Sequence, residues 1–284
     1  MKAALFVWMQ YLLPQRLLGS CIFRIARCEW STLKTPLIRW FAKYYRVNLG
    51  EADRPALTAY SSFNDFFTRA LRPGVRPLAS GDWTLLAAAD GRVTELGTAS
   101  DGQALQAKGM PYALEELLGP RPPAAAEVDL GDFVTIYLAP YDYHRVHLPL
   151  TGSLMGARYI PGKRFSVNGT TARAIPRLFC LNERLVLWVD TAIGPIAVVL
   201  VGALNVSSLS TPWLGEIPSA GPRYWGADAV PHDRLARGAE IGRFNLGSTV
   251  ITILPRGSVT WDTAIHSNDT VRMGMRLGSV TRPR

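Results

Sequence analysis

Cysteine is scarce in this chain of 284 residues: Cys21, Cys28 and Cys180 are the only three, and no CxxC pair occurs. An odd, scattered set builds no disulfide framework and offers no zinc knuckle, so a reducing compartment is the simpler reading. No uninterrupted apolar run reaches the roughly 20 residues that a membrane-spanning helix needs. Gln10, Pro14, Gln15 and Arg16 break the first apolar stretch, so the N-terminus is expected to lie on a membrane instead of crossing it. A signal peptide competes with that reading, because Lys2 precedes the stretch and Leu18-Gly19-Ser20-Cys21 faintly resembles a lipoprotein cleavage site; Gln15 and Arg16 within its apolar segment favour retention.

What is present is apolar and unevenly charged. Nearly half of the residues (48%) are hydrophobic, enough for one large domain or a domain with an appendage. The formal charge of +9 is concentrated at the start: residues 1–79 hold 12 Lys/Arg against 4 Asp/Glu, the remainder 19 against 18. A basic segment meets nucleic acid or anionic lipid. Here Arg16, Arg24, Arg27, Lys34, Arg39 and Lys43 interleave with Leu17, Ile22, Phe23, Trp30, Trp40, Phe41 and Tyr44. That pattern argues for a lipid interface and against nucleic acid. An ordinary amphipathic helix packed on the body would look similar.

The spacing predicts helices over 3–29 and 33–47 with Pro14 and Pro36 as starts or kinks, and a helical stretch within 51–72 capped by Ser62 or Asn64. After residue 80 the texture changes to short Val, Ile, Leu and Thr-rich segments, at 83–88, 92–96, 133–138, 145–149, 184–190, 195–204, 248–254 and 258–261, with one short helix at 111–118. The expected fold is α+β: a β-rich body of short, mostly antiparallel strands behind N-terminal amphipathic helices on a membrane surface. Residues 1–50 form the membrane-associating part and 51–284 the body. Residues 206–233 show no period and read as a long loop, a lid or a docking surface.

Three residue types that together do chemistry occur at suggestive places. Asp90 ends the apolar run Ala87-Ala88-Ala89 just before Gly91, where it is a turn former or a functional carboxylate. His144 and His147 are two of only four histidines; on one strand they would face opposite ways, so sharing a pocket requires a turn. No third ligand at useful spacing makes them a zinc site. Ser248 follows Gly247 and opens an apolar strand, as a tight turn would also do. A carboxylate, an imidazole and a hydroxyl are the components of a base-activated nucleophile. No Gly-x-Ser-x-Gly elbow surrounds Ser248, which argues against an α/β-hydrolase.

The blocks Phe66-Phe67-Thr68-Arg69-Ala70-Leu71-Arg72-Pro73-Gly74-Val75-Arg76-Pro77-Leu78, Ala89-Asp90-Gly91, Tyr143-His144-Arg145-Val146-His147, Phe165-Ser166-Val167-Asn168, Asn182-Glu183-Arg184 and Leu246-Gly247-Ser248-Thr249 occur in one order. In that order the chain resembles the phosphatidylserine decarboxylases of the bacterial and mitochondrial class. The resemblance implies a proenzyme in which Ser248 Oγ attacks the Gly247 carbonyl, with His147 as base and Asp90 orienting it. Fragments 1–247 and 248–284 then stay associated, the second headed by a pyruvoyl group made from Ser248. A Schiff base between that ketone and the lipid's serine amine allows CO₂ to leave, giving phosphatidylethanolamine. No metal is implied, and no pyridoxal phosphate, for which none of the five lysines has a suitable setting. His144 is the candidate for substrate contact or reprotonation, and Tyr137, Ser166 and Asn168 are pocket candidates. The partner is phosphatidylserine in an anionic membrane and the location peripheral, on the cytoplasmic face of a bacterial cell membrane; a homodimer stays open. The rivals are a serine hydrolase of lipid esters using Asp90, His147 and Ser248, a catalytically inactive membrane adaptor, and a pyruvoyl enzyme for a soluble amino acid.

Overall fold

The computed structural model describes residues 10, 15–106, 110–203, 208–219, 221–245 and 248–281, with the side chains of 15–17 and 248 left aside. Gly247, Leu246 and the Ser248 side chain therefore lie outside the described residues, as does most of the first apolar stretch.

Helices α1 (Gln15–Ala26), α2 (Ser31–Tyr44) and α3 (Phe63–Phe67) come first. Ser62 caps α3 by accepting a hydrogen bond from Asp65 N at 3.1 Å, one of the two caps expected. Ile38, Phe41 and Ala42 of α2 pack with Tyr60, Phe63, Phe66 and Phe67 into a small aromatic core separate from that of the body. The opposite side of α2 leaves Leu33, Trp40 and Tyr44 exposed, with the Trp40 and Tyr44 rings stacked at 5.5 Å. No described helix is long and apolar enough to cross a membrane.

The body holds strands β1 (Thr84–Leu86), β2 (Gly91–Thr98), β3 (Gln103–Leu105), β4 (Pro111–Ala113), β5 (Leu130–Leu138), β6 (Arg145–His147), β7 (Gly152–Ile160), β8 (Arg184–Thr191) and β9 (Gly194–Val201). Short helices α4 (Leu114–Leu118), α5 (Gly169–Ala172) and α6 (Leu178–Leu181) interrupt them, and the chain continues through β10 (Leu209–Thr211), β11 (Gly215–Ile217), β12 (Arg223–Trp225), β13 (Glu240–Phe244), β14 (Ser248–Pro255), β15 (Val259–Trp261), β16 (Thr270–Val271) and β17 (Arg276–Val280). Eight strands make the main sheet in the order β12-β7-β8-β9-β14-β5-β2-β16, every neighbour antiparallel. A four-stranded sheet, β11-β10-β13-β6, packs beside it. The fold class is therefore the expected one.

Strands β8 and β9 are almost wholly buried because Leu, Val, Ile and Trp188 occupy both faces. Strand β14 sits between β9 and β5, hydrogen-bonded on both sides. At the start of β2, Gly91 brings its backbone so close to β5 that a Cβ would stand 2.3 Å from the Tyr137 carbonyl oxygen; only glycine permits this approach.

Two expectations change. The stretch 206–233 is no plain loop: its described residues include β10 and β11, which pair with each other, and β12, which edges the main sheet against β7. Pro212, Pro218 and Pro222 fall outside those strands. Strand β7 itself was not legible, because Gly152, Met155, Gly156 and Arg158 hide its alternation, and its partner β8 supplies the ladder.

Candidate active site

Asp90 ends a buried run at the base of β2 and is 5% exposed. A buried carboxylate must be paired and hydrogen-bonded. Arg76 does this with a fork: its Nε donates to Oδ1 at 2.9 Å and its Nη2 to Oδ2 at 2.5 Å. Met273 N–H adds a bond to Oδ1 at 2.8 Å. The same Arg76 Nη2 reaches Glu51 Oε2 at 2.7 Å, and Arg272 reaches Glu51 as well. Burial lowers the Arg76 pKa, but the hydrogen bonds to Asp90 and Glu51 outweigh it and the net direction is up. This cluster ties the segment before β1 (Glu51, Arg76) to the C-terminal segment (Arg272, Met273).

His147 closes β6, and its N–H donates at 2.8 Å to the carbonyl of Ala88, two residues before Asp90. Its Nδ1 lies 2.8 Å from the Gly238 carbonyl, which can only accept, so Nδ1 carries the proton and Nε2 the lone pair. Tyr143 Oη lies 3.0 Å from that Nε2 and donates to it. Burial lowers the His147 pKa from 6.5, partly opposed by the Gly238 carbonyl and by the charges of Glu240 and Asp90. Asp90 thus acts on His147 through space. The expected contact in which its carboxylate orients the ring is absent, because Arg76 and Met273 N–H hold that carboxylate and Gly238 orients the ring instead.

His144 precedes β6, so the two histidines escape the opposite-face rule of a single strand. It is fully buried, its ring tilted at 44° against Phe67 with centroids 4.0 Å apart, and its Nδ1 donates to the Asp142 carbonyl at 2.8 Å. Burial drives its pKa down to about 3, so the ring is neutral with Nε2 as an acceptor, and that atom has no partner. Its backbone carbonyl accepts from Phe244 N at 3.0 Å, which sets it beside the segment leading to residue 248.

A cavity of about 500 Å³ opens beside these groups, lined by Gly91 next to Asp90 and by Asp142. Tyr137 lines it with its two cross-strand neighbours, Arg92 on β2 and Thr249 on β14. Asp142 lines it also, with its carboxyl raised by burial to about 6 although Ala139 N–H donates to it at 2.7 Å. Of the pocket candidates, Tyr137 is in the wall. Asn168 is occupied as the cap of α5, accepting from Thr171 N at 3.0 Å, and Ser166 is held by its backbone to Gln10; their neighbours Val167 and Gly169 line the cavity in their place. Sequence reasoning missed Arg76, Tyr143 and Asp142 as members of the site. The need of a buried Asp90 for a cation was the available signal for Arg76. Among the described residues no cluster of His, Cys, Asp and Glu could hold a metal ion.

The model of the phosphatidylserine decarboxylase family matches residues 63–279, and a second model, described as PSD, matches residues 5–46. This chain belongs to the phosphatidylserine decarboxylase family. It is 47% identical to the phosphatidylserine decarboxylase proenzyme of Ectopseudomonas mendocina over 98% of this chain and 99% of that protein. Proenzymes of the same name from Pseudomonas putida F1 and Azotobacter vinelandii are 46% and 44% identical, again over nearly the full length of both chains.

Removing Arg76 alone should strand the Asp90 carboxylate. In a Ser248→Ala background, which keeps one chain, Arg76→Met should lose about 3–5 kcal/mol by urea denaturation, and adding Asp90→Asn should restore much of it. A loss under about 1 kcal/mol would show that the ion pair does not organise this corner.

Proposed function

We propose that this chain is a proenzyme that cuts itself between Gly247 and Ser248 and then decarboxylates phosphatidylserine to phosphatidylethanolamine at a membrane surface. The full-length relationship to proenzymes of that name carries the reading. The gathering of Asp90, His144 and His147 at the end of the sheet where β14 starts supports it.

In the maturation step, Ser248 Oγ adds to the Gly247 carbonyl carbon, the C–N bond breaks, and the nitrogen leaves with a proton, giving an ester. Loss of the Ser248 Cα proton with breakage of the Cβ–Oγ bond frees fragment 1–247 with a carboxylate end and leaves a dehydroalanine. Water then replaces the nitrogen, which departs as ammonia, and a ketone remains. His147 is the base for the hydroxyl proton: Gly238 fixes the ring with its Nε2 lone pair turned to the Tyr143 hydroxyl, which relays the proton to it. Asp90 favours the imidazolium through its charge.

The residues around position 248 fit a pyruvoyl group: Thr249 Oγ1, at the start of β14, and Nε2 of His144, whose backbone is tied to Phe244 just before that strand, are buried polar atoms without partners. That group supplies the electron sink for the carbanion left when CO₂ departs. His144 Nε2, as an acceptor, suits the amine of the incoming headgroup. Tyr137 walls the cavity where that headgroup would lie. Fragment 248–284 stays in place because β14 keeps its ladders to β5 and β9.

Residues 1–50 are the membrane-associating part, peripheral and on the cytoplasmic face. Exposed Trp40, Tyr44, Leu33 and Trp30 enter the interface while Arg39 and Lys43 meet anionic headgroups.

Incubated with phosphatidylserine vesicles, the purified protein should release CO₂ and form the ethanolamine lipid, and Ser248→Ala should stay one chain and release none. Activity from an uncut chain would refute the reading. Because burial holds the His147 pKa below 6.5, the imidazole keeps its lone pair through neutrality into mild acid. Self-cleavage, followed on gels, should be flat from alkaline pH down to about 6.5 and fall only below it; half-maximal cleavage above pH 7 would remove His147 as the base. Sedimentation with anionic vesicles should weaken for Trp40→Ser with Tyr44→Ser at any salt, while Arg39→Gln with Lys43→Gln should weaken it at low salt and little at high salt. Binding indifferent to all four substitutions would place docking elsewhere.

A further inference from the structure

Two arginines in the cavity wall are used by nothing described so far. Arg92 lies opposite Tyr137 in the β2–β5 ladder and Tyr137 lies opposite Thr249 in the β5–β14 ladder, so Arg92 is two strand spacings, about 10 Å, from the start of β14. Arg173 follows α5 and folds its guanidinium over Gly169, where a Cβ would meet Nη1 at 3.0 Å. Both line the cavity and both are exposed to it and to solvent. Among the described residues neither guanidinium forms an ion pair or hydrogen bond, whereas those of Arg76, Arg145, Arg164 and Arg184 are all engaged. Nor do the cavity carboxylates neutralise them. Burial alone acts on Glu95, and the cations acting on Asp142 are Arg69 and Arg76. The lining also has an apolar part, Val167, Ala172 and Phe179.

Two uncommitted guanidinium forks facing one cavity form a receptor for an anion with several oxygens. We propose that Arg92 and Arg173 hold the phosphodiester of the phosphoserine headgroup and leave its carboxylate toward the apolar wall. The assignment rests on the decarboxylase reading and deepens it. It also follows from where charge changes. The carboxylate loses its charge as CO₂ leaves, so a cation upon it would favour the ground state over the transition state. The phosphodiester keeps its charge from binding to release, so a cation there binds both states alike, which sets KM and leaves kcat alone.

The test measures KM and kcat for phosphatidylserine at varied mole fraction in neutral-detergent micelles at high salt, where the substrate is the one anionic lipid and its surface charge is screened, with rates normalised to processed protein. Arg92→Gln with Arg173→Gln should raise KM about tenfold or more, the loss of one or two charge-assisted contacts at an exposed site, with kcat within about twofold. Arg223→Gln with Arg276→Gln removes the same charge elsewhere, Arg223 lying on β12 at the far edge of the main sheet, and should change neither. Calorimetry with glycerophosphoserine, a soluble headgroup, should show binding to processed wild type that the cavity double variant weakens by a similar factor. Unchanged KM and unchanged glycerophosphoserine binding in an active double variant would overturn the phosphodiester site and leave the reaction standing. A fall in kcat at constant KM would overturn it too, since the cations would then serve the transition state. Wild-type protein that binds glycerophosphoserine through these arginines yet releases no CO₂ would overturn the reaction and leave the anion site standing.

Discussion

The double ladder that fixes β14 is the constraint on which the rest depends. Residue 248 opens this strand opposite Leu138, and the next five residues pair on both flanks, with β5 on one side and β9 on the other. A strand inside a sheet has no unpaired edge and loses many hydrogen bonds together if it leaves. A covalent break just before it therefore costs little in fold, and the new chain end is delivered to a defined place. The tight approach of Gly91 to Tyr137 fastens β2 to the other side of β5, which brings Asp90 to the same end of the sheet.

Around that end the polar groups separate into two environments. Asp90, Arg76 and Glu51 form a paired ionic cluster closed by Met273 N–H from the C-terminal segment. The histidines are instead buried as neutral rings, each with Nδ1 committed to a backbone carbonyl and Nε2 left as the reactive nitrogen. This division sets a paired carboxylate beside imidazoles that burial holds in the neutral form. It also explains why Asp90 has no need to touch His147: the backbone already fixes the ring, and the carboxylate contributes field.

Much of this was legible in the sequence. Strands rich in Val, Ile and Leu, such as 184–190 and 248–254, announced themselves because both of their faces are buried. The amphipathic α2 was readable from its aromatic and basic spacing, and Asp90, His144, His147 and Ser248 stood out by residue type and setting. Strand β7 was not readable, because two glycines and a methionine break its alternation and its stability comes from β8. The strands within 209–225 are three residues long, and β10 and β12 owe their existence to β13 and β7, far along the chain. Hydrogen-bond partners were the least legible part: that Asn168 is spent on capping α5, and that Gly238 rather than Asp90 orients His147, depends on tertiary placement that no local pattern carries.

Self-made chemistry at one peptide bond is the central claim, and intact-mass spectrometry of the purified, active protein tests it most directly. The account predicts two polypeptides, residues 1–247 with an ordinary carboxyl end and residues 248–284 lighter by one ammonia than a peptide headed by serine. A single uncut mass from active protein, or a small fragment that still carries the serine amine, would contradict it.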